Sequence, residues 1–426
     1  MIRHQRARLP PPHAYALVGL LLGLGVGLRV VDFPVVVYTP DEDAYANFYA
    51  TPLYADGLGG LPKLVRDYET RPDMREFPSP TRVGHLWAMV LAMHLAGHAS
   101  IQAAAAVSAV ASGLILMLIA ALGLPLLGPW PTAAALLLAV VSPLDRAMAR
   151  RAWGDELLAL CALVSIAALA RYSARPRAPW MALALAAAGY AILVKETGLA
   201  LLLLVTLWLT VGGARAAGAR GALRALFAGA FTLIAALGVL AIACGGLAPL
   251  RATFAGLVAS GPLNAYMREY QSGGPGYYAR GLLRVEPVTI ALGALGAVMA
   301  AGRRLMPRAA TAAAPDGGAP EVARPGPICA GIAWLALGFV AMALAWPQKN
   351  LRFLSPIYAP LDLLAGAGVG WLLAAARQRL PAAAFRVLAG LVVAGLIAAA
   401  LADQRRFVEL FIRRGIPDLA TPWFTR

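Results

Sequence analysis

Apolar residues run through the chain in long stretches, and charged residues fall in short clusters between them. A helix needs about 20 apolar residues to cross a bilayer. The pattern predicts an all-α polytopic membrane protein with about eleven transmembrane helices. They fall at residues 14–37, 100–122, 131–143, 155–172, 179–194, 197–211, 225–247, 287–301, 328–346, 353–375 and 384–401. A further apolar stretch, 81–98, carries His85, His94 and His98 among Leu, Trp and Met. It reads as an amphipathic helix lying in the membrane interface.

Composition agrees. The chain is 60% hydrophobic and 14% charged, against about 45–50% and about 25% for soluble domains. That excludes a multidomain soluble enzyme. The net charge of +16 raises nucleic acid as a partner. The arginines are scattered between apolar runs and form no stripe, so a nucleic-acid partner is rejected. Cys161, Cys244 and Cys329 each sit in an apolar run, with no disulfide or zinc spacing. The first run lacks a small-residue cleavage site and reads as a retained span.

The basic residues set an orientation. With the N-terminus cytoplasmic, the inner connections are 122–130, 171–180, 212–224, 302–327 and 377–381. Four of them hold Arg171, Arg175, Arg177, Arg215, Arg220, Arg224, Arg303, Arg304, Arg308, Arg324, Arg377 and Arg379, with only Asp316 and Glu321 as acids. Lys63, Lys195 and Lys349 all fall outside. The sorting holds only if 81–98 does not cross. Residues 1–426 then form a single transmembrane domain. It has a first extracytoplasmic loop with interfacial helices (39–98), a flexible cytoplasmic linker (303–327) and a short extracytoplasmic tail (403–426). A bacterial inner membrane is the expected location.

The chemistry gathers in the outer loops. The first opens Thr39-Pro40-Asp41-Glu42-Asp43-Ala44-Tyr45. Three consecutive carboxylates are costly inside hydrocarbon and so belong just outside it. Asp41 is placed to cap a short surface helix. A cap with a solvated acidic loop is the plain alternative to an active site. The second loop places Asp155 and Glu156 at a helix start near Arg150 and Arg151, which surface ion pairing alone would explain. The third is Lys195-Glu196 between two spans. The fourth carries Gly276-Tyr277-Tyr278-Ala279-Arg280, suited to a lipid phosphate or to an ordinary aromatic belt. The fifth holds Lys349-Asn350-Leu351-Arg352-Phe353, where a cation snorkels or holds an anion. No Walker loop, zinc-protease motif or nucleophile elbow occurs. Acids, lysines, arginines and tyrosines on one face suit a general base beside an anionic leaving group. A secondary transporter with an acidic outer vestibule is the alternative.

In this order, these motifs resemble the GT-C superfamily of membrane glycosyltransferases, nearest to its protein-mannosyltransferase and aminoarabinose-transferase group. The matching pieces are Pro40-Asp41-Glu42-Asp43-Ala44-Tyr45, Ser142-Pro143 with Arg151 and Asp155-Glu156, Gly189 to Gly198 with Lys195-Glu196, Gly276-Tyr277-Tyr278, and Lys349 to Pro356. The resemblance implies an inverting transferase that takes a sugar from a polyprenyl-phosphate donor to a hydroxyl acceptor. Asp41 would be the base or a metal or acceptor contact, with Glu42 beside it. Asp155 and Glu156 would form the second acidic motif. Lys195, Arg280 and Arg352 would meet the donor phosphate, and Glu196, Tyr277, Tyr278 and Lys349 would line the substrate. A divalent metal is possible at Asp41, Asp155 and Glu156. Relatives often carry His-Pro-Pro late in the first loop. Here the stretch is Phe77-Pro78-Ser79-Pro80, so a histidine-dependent metal site is in doubt.

Overall fold

The computed structural model describes residues 12–31, 39–71, 74, 77–260, 265–305 and 325–425. Among them every regular element is helical. The long helices are α1 (Pro12–Val31), α6 (Ile101–Leu127), α7 (Pro129–Val141), α9 (Asp155–Ala174), α10 (Ala178–Val194), α11 (Gly198–Ala243), α15 (Pro287–Leu305), α16 (Pro325–Ala345), α17 (Ser355–Arg379) and α18 (Ala382–Phe407). Shorter ones are α2 (Pro40–Asp43), α3 (Thr51–Asp56), α4 (Leu61–Thr70), α5 (Val83–Ala96), α8 (Pro143–Ala149), α12 (Leu247–Ser260), α13 (Ala265–Tyr270), α14 (Gly276–Val285) and α19 (Pro422–Thr425).

Each predicted span falls on one of these helices, residues 32–37 of the first lying outside the described residues, but their number is not eleven by length. Among the described residues six helices are long and apolar enough to cross a membrane, or up to eight if two bent pairs each count as one. The largest discrepancy is α11, whose 46 residues cover two predicted spans. Ala217 and Gly218 leave helical geometry there, with Gly218 at φ +59°. Glycine adopts that conformation without steric cost. The two halves fold back on each other, since a Cβ on Gly213 would lie 2.5 Å from Gly221 O and one on Gly229 2.5 Å from Thr206. The two predicted spans therefore form a helical hairpin.

Small residues let the central helices approach closely, as membrane packing requires. A Cβ on Gly296 of α15 would lie 2.0 Å from Leu364 O of α17, and one on Gly366 2.4 Å from Pro131 O of α7. α17 is thus buried along most of its length, against α7, α9 and α15. Its first turn reaches the start of α9, where Ser355 donates to Asp155 O.

α1 carries a buried charge inside the bundle. Arg29 lies 2.5 Å from Asp145 and bonds Ser112 and the carbonyls of Gly25 and Ala139. Every strong donor is directed at an acceptor, which such burial demands.

One expectation is corrected. α5, predicted as amphipathic, has no polar face. It buries His85, Leu86, Met89 and Met93 while Leu91 and Leu95 are 59% and 82% exposed. The tail, read from the sequence only as short, is anchored to the rest of the chain. Ile416, Leu419, Thr421 and Phe424 are buried, and the segment bonds Leu351, Arg151 and Tyr277. Most of the predicted 303–327 linker, with Arg308, Asp316, Glu321 and Arg324, lies outside the described residues, as do Asp73 and Glu76.

Candidate active site

The site begins at α2, and its cap is Thr39 rather than Asp41. Thr39 and Glu42 form a reciprocal capping box with Pro40 at the first helical position. Glu42 is fully buried. Its carboxylate accepts from Thr39 N at 2.7 Å, Arg151 Nη1 at 2.9 Å and Ala152 N at 3.1 Å. Trp153 Nε1 donates to Thr39 Oγ1. Glu42 is thereby committed to joining the segment at Thr39 to the one at Arg151–Ala152. Asp41, one residue earlier, points the other way and keeps 27% of its side chain exposed. Arg352 Nη2 donates to its Oδ2 at 2.7 Å.

Arg352 comes from the short turn before α17. Its guanidinium lies 4.9 Å from the Trp153 ring and 5.9 Å from the Phe353 ring, close enough for cation–π attraction. Asn350 orders that turn by accepting from Arg352 N and donating to Asp418 at 3.0 Å. Asp418 also accepts from Tyr266, Gln271 and Leu419 N, and its Oδ1 lies 4.0 Å from Arg352 Nε. Burial would raise its pKa, but Arg352 and these donors outweigh that and hold the carboxyl below the ordinary range.

A second ion pair stands beside the first. Arg82 donates from Nε and Nη2 to Glu196 at 3.0–3.2 Å and from Nη1 to the Tyr45 hydroxyl. Burial works against ionising Glu196, yet the Arg82 charge holds its pKa below the ordinary value. Burial likewise pushes the Tyr45 phenol well above its usual range. Tyr45 stays a neutral wall that meets His85 edge-on at 5.2 Å between ring centroids. Tyr49 and Tyr68 donate to Pro78 O and Phe77 O, pinning the Phe77–Pro80 stretch above this wall.

Beneath both pairs Lys195 donates to Asp155 at 2.5 Å. The two side chains are only 4% and 3% exposed, and the ammonium lies 4.6 Å from the Phe353 ring. Burial leads the causes that lower the Lys195 pKa to about 8, with Arg82 and Arg352 adding to it and Asp155 opposing. Ser355 Oγ ties Asp155 O to the start of α17.

The structure thus gathers Asp41, Glu42, Asp155, Lys195, Glu196 and Arg352 into one cluster. It separates the other named residues from it. Glu156 is fully buried near Asp145 and Arg29, inside the bundle. Tyr277 is buried, accepting from Thr421 N and donating to Tyr270 O. Tyr278 is buried beside it, and Arg280 is exposed away from the ion pairs. Lys349 caps the end of α16 through the carbonyls of Trp346 and Leu344. Among the described residues no three His, Cys, Asp or Glu side chains converge to hold a metal. Asp41 pairs with Arg352 and Asp155 with Lys195, while both Glu156 oxygens are buried without a hydrogen-bond partner among the described residues, so the three do not fit a shared metal.

Sequence reasoning missed Arg82, Trp153, Arg29 and Asp418. Arg82 was findable as the cation at the start of the apolar α5. Asp418 was not, because a lone acid in a tail carries no signal.

Three comparisons bear on the fold. A family model for dolichyl-phosphate-mannose-protein mannosyltransferase matches residues 80–242. No curated protein matches by sequence. Among solved structures, ArnT from Cupriavidus metallidurans bound to undecaprenyl phosphate is 19% identical with a TM-score of 0.52, covering 96% of this chain and 73% of its own. The oligosaccharyltransferase AglB from Archaeoglobus fulgidus, in complex with an inhibitory peptide and a dolichol-phosphate, is 14% identical with a TM-score of 0.53, covering 92% and 56%. The arabinosyltransferase EmbB from Mycobacterium smegmatis is 16% identical with a TM-score of 0.51, covering 87% and 32%.

Proposed function

Taking as its premise that this integral, multi-pass membrane protein has the GT-C glycosyltransferase fold, we propose that it transfers a sugar from a polyprenyl-phosphate donor to an acceptor hydroxyl at the extracytoplasmic face. One observation carries the reading. Of the three carboxylates named for catalysis, Asp41 alone is open to the surface, at 27% against 0% for Glu42 and 3% for Asp155.

Asp41 is the general base. It takes the proton of the acceptor hydroxyl as that oxygen attacks the anomeric carbon from the side opposite the phosphate, so the centre inverts. The bond from that carbon to the phosphate oxygen breaks, and the polyprenyl phosphate leaves as an anion. Arg352 orients Asp41 and faces the departing charge, with the Arg82–Glu196 pair fixing the adjacent wall. Lys195 keeps the floor of the site positive. The site lies in the outer leaflet region of a bacterial inner membrane, with the N-terminus cytoplasmic.

The test is mass spectrometry of cell-envelope glycans from cells with and without the protein, and with Asp41→Asn. A glycan modification that is lost on deletion and not restored by Asp41→Asn supports the reading. Unchanged glycans on deletion reject it. The buried Arg29–Asp145 pair favours a secondary transporter as the second reading, since such proteins carry charge inside the bundle. Under it, solute uptake would fall with Arg29→Met and envelope glycans would not change.

A further inference from the structure

A stack of three aromatic rings stands beside the ion pairs and has no part in the chemistry above. Tyr266 and Tyr270 stack at 4.9 Å between centroids with planes 23° apart. Tyr270 and Trp423 stack at 5.1 Å and 12°. Tyr266 is 38% exposed, and Tyr270 and Trp423 are half-buried. The stack is held from both sides. Trp423 Nε1 donates to the Tyr266 hydroxyl, and that hydroxyl donates to Asp418 at 2.8 Å. The strap that carries Trp423 is fixed on each side of it by Thr421 on Tyr277 and by Arg284 on Phe424 O.

An aromatic belt at the bilayer surface would account for single rings turned toward lipid. It does not account for rings stacked on one another and bonded to a buried carboxylate. A sugar ring has one face of C–H bonds and an edge of hydroxyls. A rigid aromatic surface suits the face, and the hydrogen bonds from Trp423 to Tyr266 and from Tyr266 to Asp418 hold that surface in place. Asp418 joins this surface to Arg352 and so to Asp41.

The geometry points to a saccharide subsite on the Tyr266–Tyr270–Trp423 shelf, which holds a sugar ring of the substrates while transfer occurs at Asp41. The inference rests on the glycosyl-transfer reading and names a part of the site that the reading leaves open. The ring belongs to the acceptor glycan or to the donor, and the probes separate the two.

The experiment uses the full chain in lipid nanodiscs and saturation-transfer NMR. One set of probes is the methyl glycosides of mannose, glucose and arabinose, and the other is undecaprenyl-phosphoglucose. Saturation should pass from the protein to the C–H face of at least one ring. Transfer to a free glycoside assigns the shelf to the acceptor, and transfer only to the lipid-linked sugar assigns it to the donor. Trp423→Ala and Tyr270→Ala should weaken sugar binding about tenfold, and Trp423→Phe should restore most of it. Undecaprenyl phosphate binding should be unchanged in all three variants, which also reports that they are folded. No sugar signal with intact lipid-phosphate binding, or an unchanged signal in Trp423→Ala, overturns the shelf. Glycoside binding at the shelf with no lipid-phosphate binding leaves the shelf standing and removes the transferase reading.

Discussion

Arg352 Nη2 donates to Asp41 Oδ2 at 2.7 Å across 311 residues of chain. The contact joins α2 to the turn before α17. It fixes a carboxylate that stays open to water, and it puts the cation where a leaving anion would need it. Asp418 sits on the far side of the same guanidinium. Arg352 can therefore be released from Asp41 without being left alone in a buried place, since a second carboxylate already faces it.

Asp41→Asn should keep the fold. The Asn oxygen can still accept from Arg352, and the capping box lies on Thr39 and Glu42. Transfer should fall by about 10²–10⁴-fold, the range for loss of a general base. Donor binding should persist. Near-normal transfer in this variant, with transfer abolished by Asp155→Asn, would reverse the assigned roles.

Arg352→Ala should weaken binding of undecaprenyl phosphate, because a hydrogen bond to a charged group is worth about 1.5–3 kcal/mol. It also frees Asp41, so turnover should drop with affinity. Arg352→Lys should recover part of the affinity and less of the turnover. A lysine keeps the charge but lacks the fork that reaches Asp41 and Asp418 together. Titration of the solubilised protein with the lipid phosphate checks this, and equal affinity in wild type and Arg352→Ala would exclude the phosphate role.

The helices were legible because bilayer burial imposes length and apolarity on them. Even the α11 hairpin was readable, from Arg215, Arg220 and Arg224 interrupting an otherwise continuous apolar stretch. The residue types of the site were legible as well. Their pairing was not. Lys195 precedes Glu196 in sequence but bonds Asp155, and Glu196 bonds Arg82. Asp155 follows Arg150 and Arg151 in sequence, yet Arg151 bonds Glu42. Neighbours at the end of a helix point in different directions, so adjacency in sequence is a poor guide to ion pairs. The tail was illegible for a related reason. Beyond Arg413 its apolar residues, Ile416, Leu419 and Phe424 among them, show no period, and only the segments they cover give them a place.

Glu42 should behave as a structural residue. Glu42→Ala leaves Arg151 and two backbone N–H groups facing a void in a buried place. Removing one partner of a buried pair costs about 3–5 kcal/mol. The detergent-solubilised protein should unfold at clearly lower temperature, whereas Asp41→Asn should not change the midpoint. A Glu42→Ala protein as stable as wild type would place Glu42 back among the candidates for chemistry.

Cysteine labelling tests the orientation. Cys161, Cys244 and Cys329 are buried, so background labelling should be low. A membrane-impermeant thiol reagent on sealed cells should modify Ala55→Cys in the first outer loop. It should spare Ala216→Cys beside the α11 turn, since the arginines there mark the cytoplasmic side. Both positions are exposed. Labelling of Ala216→Cys in sealed cells would invert the topology.

Lys195 gives the site a pH dependence with a definite sign. Burial first, and then the Arg82 and Arg352 charges, lower its pKa from 10.5 to about 8 against the pull of Asp155. Above pH of about 8 the ammonium loses its proton, and the site loses one positive charge beneath the donor phosphate. The donor is a phosphodiester and carries its single negative charge across this whole range, so its own ionisation does not change. Donor affinity should therefore fall as pH rises through about 8. Stability moves the other way. The folded pKa lies below the unfolded one, so between about 8 and 10.5 the unfolded chain binds more protons and this group's contribution to stability rises with pH. Falling affinity without a falling unfolding midpoint thus separates titration of the site from alkaline unfolding. Lys195→Arg stays charged across the whole window and should remove the alkaline limb, at some cost in packing against Phe353. The same limb in Lys195→Arg would assign the titration to another group.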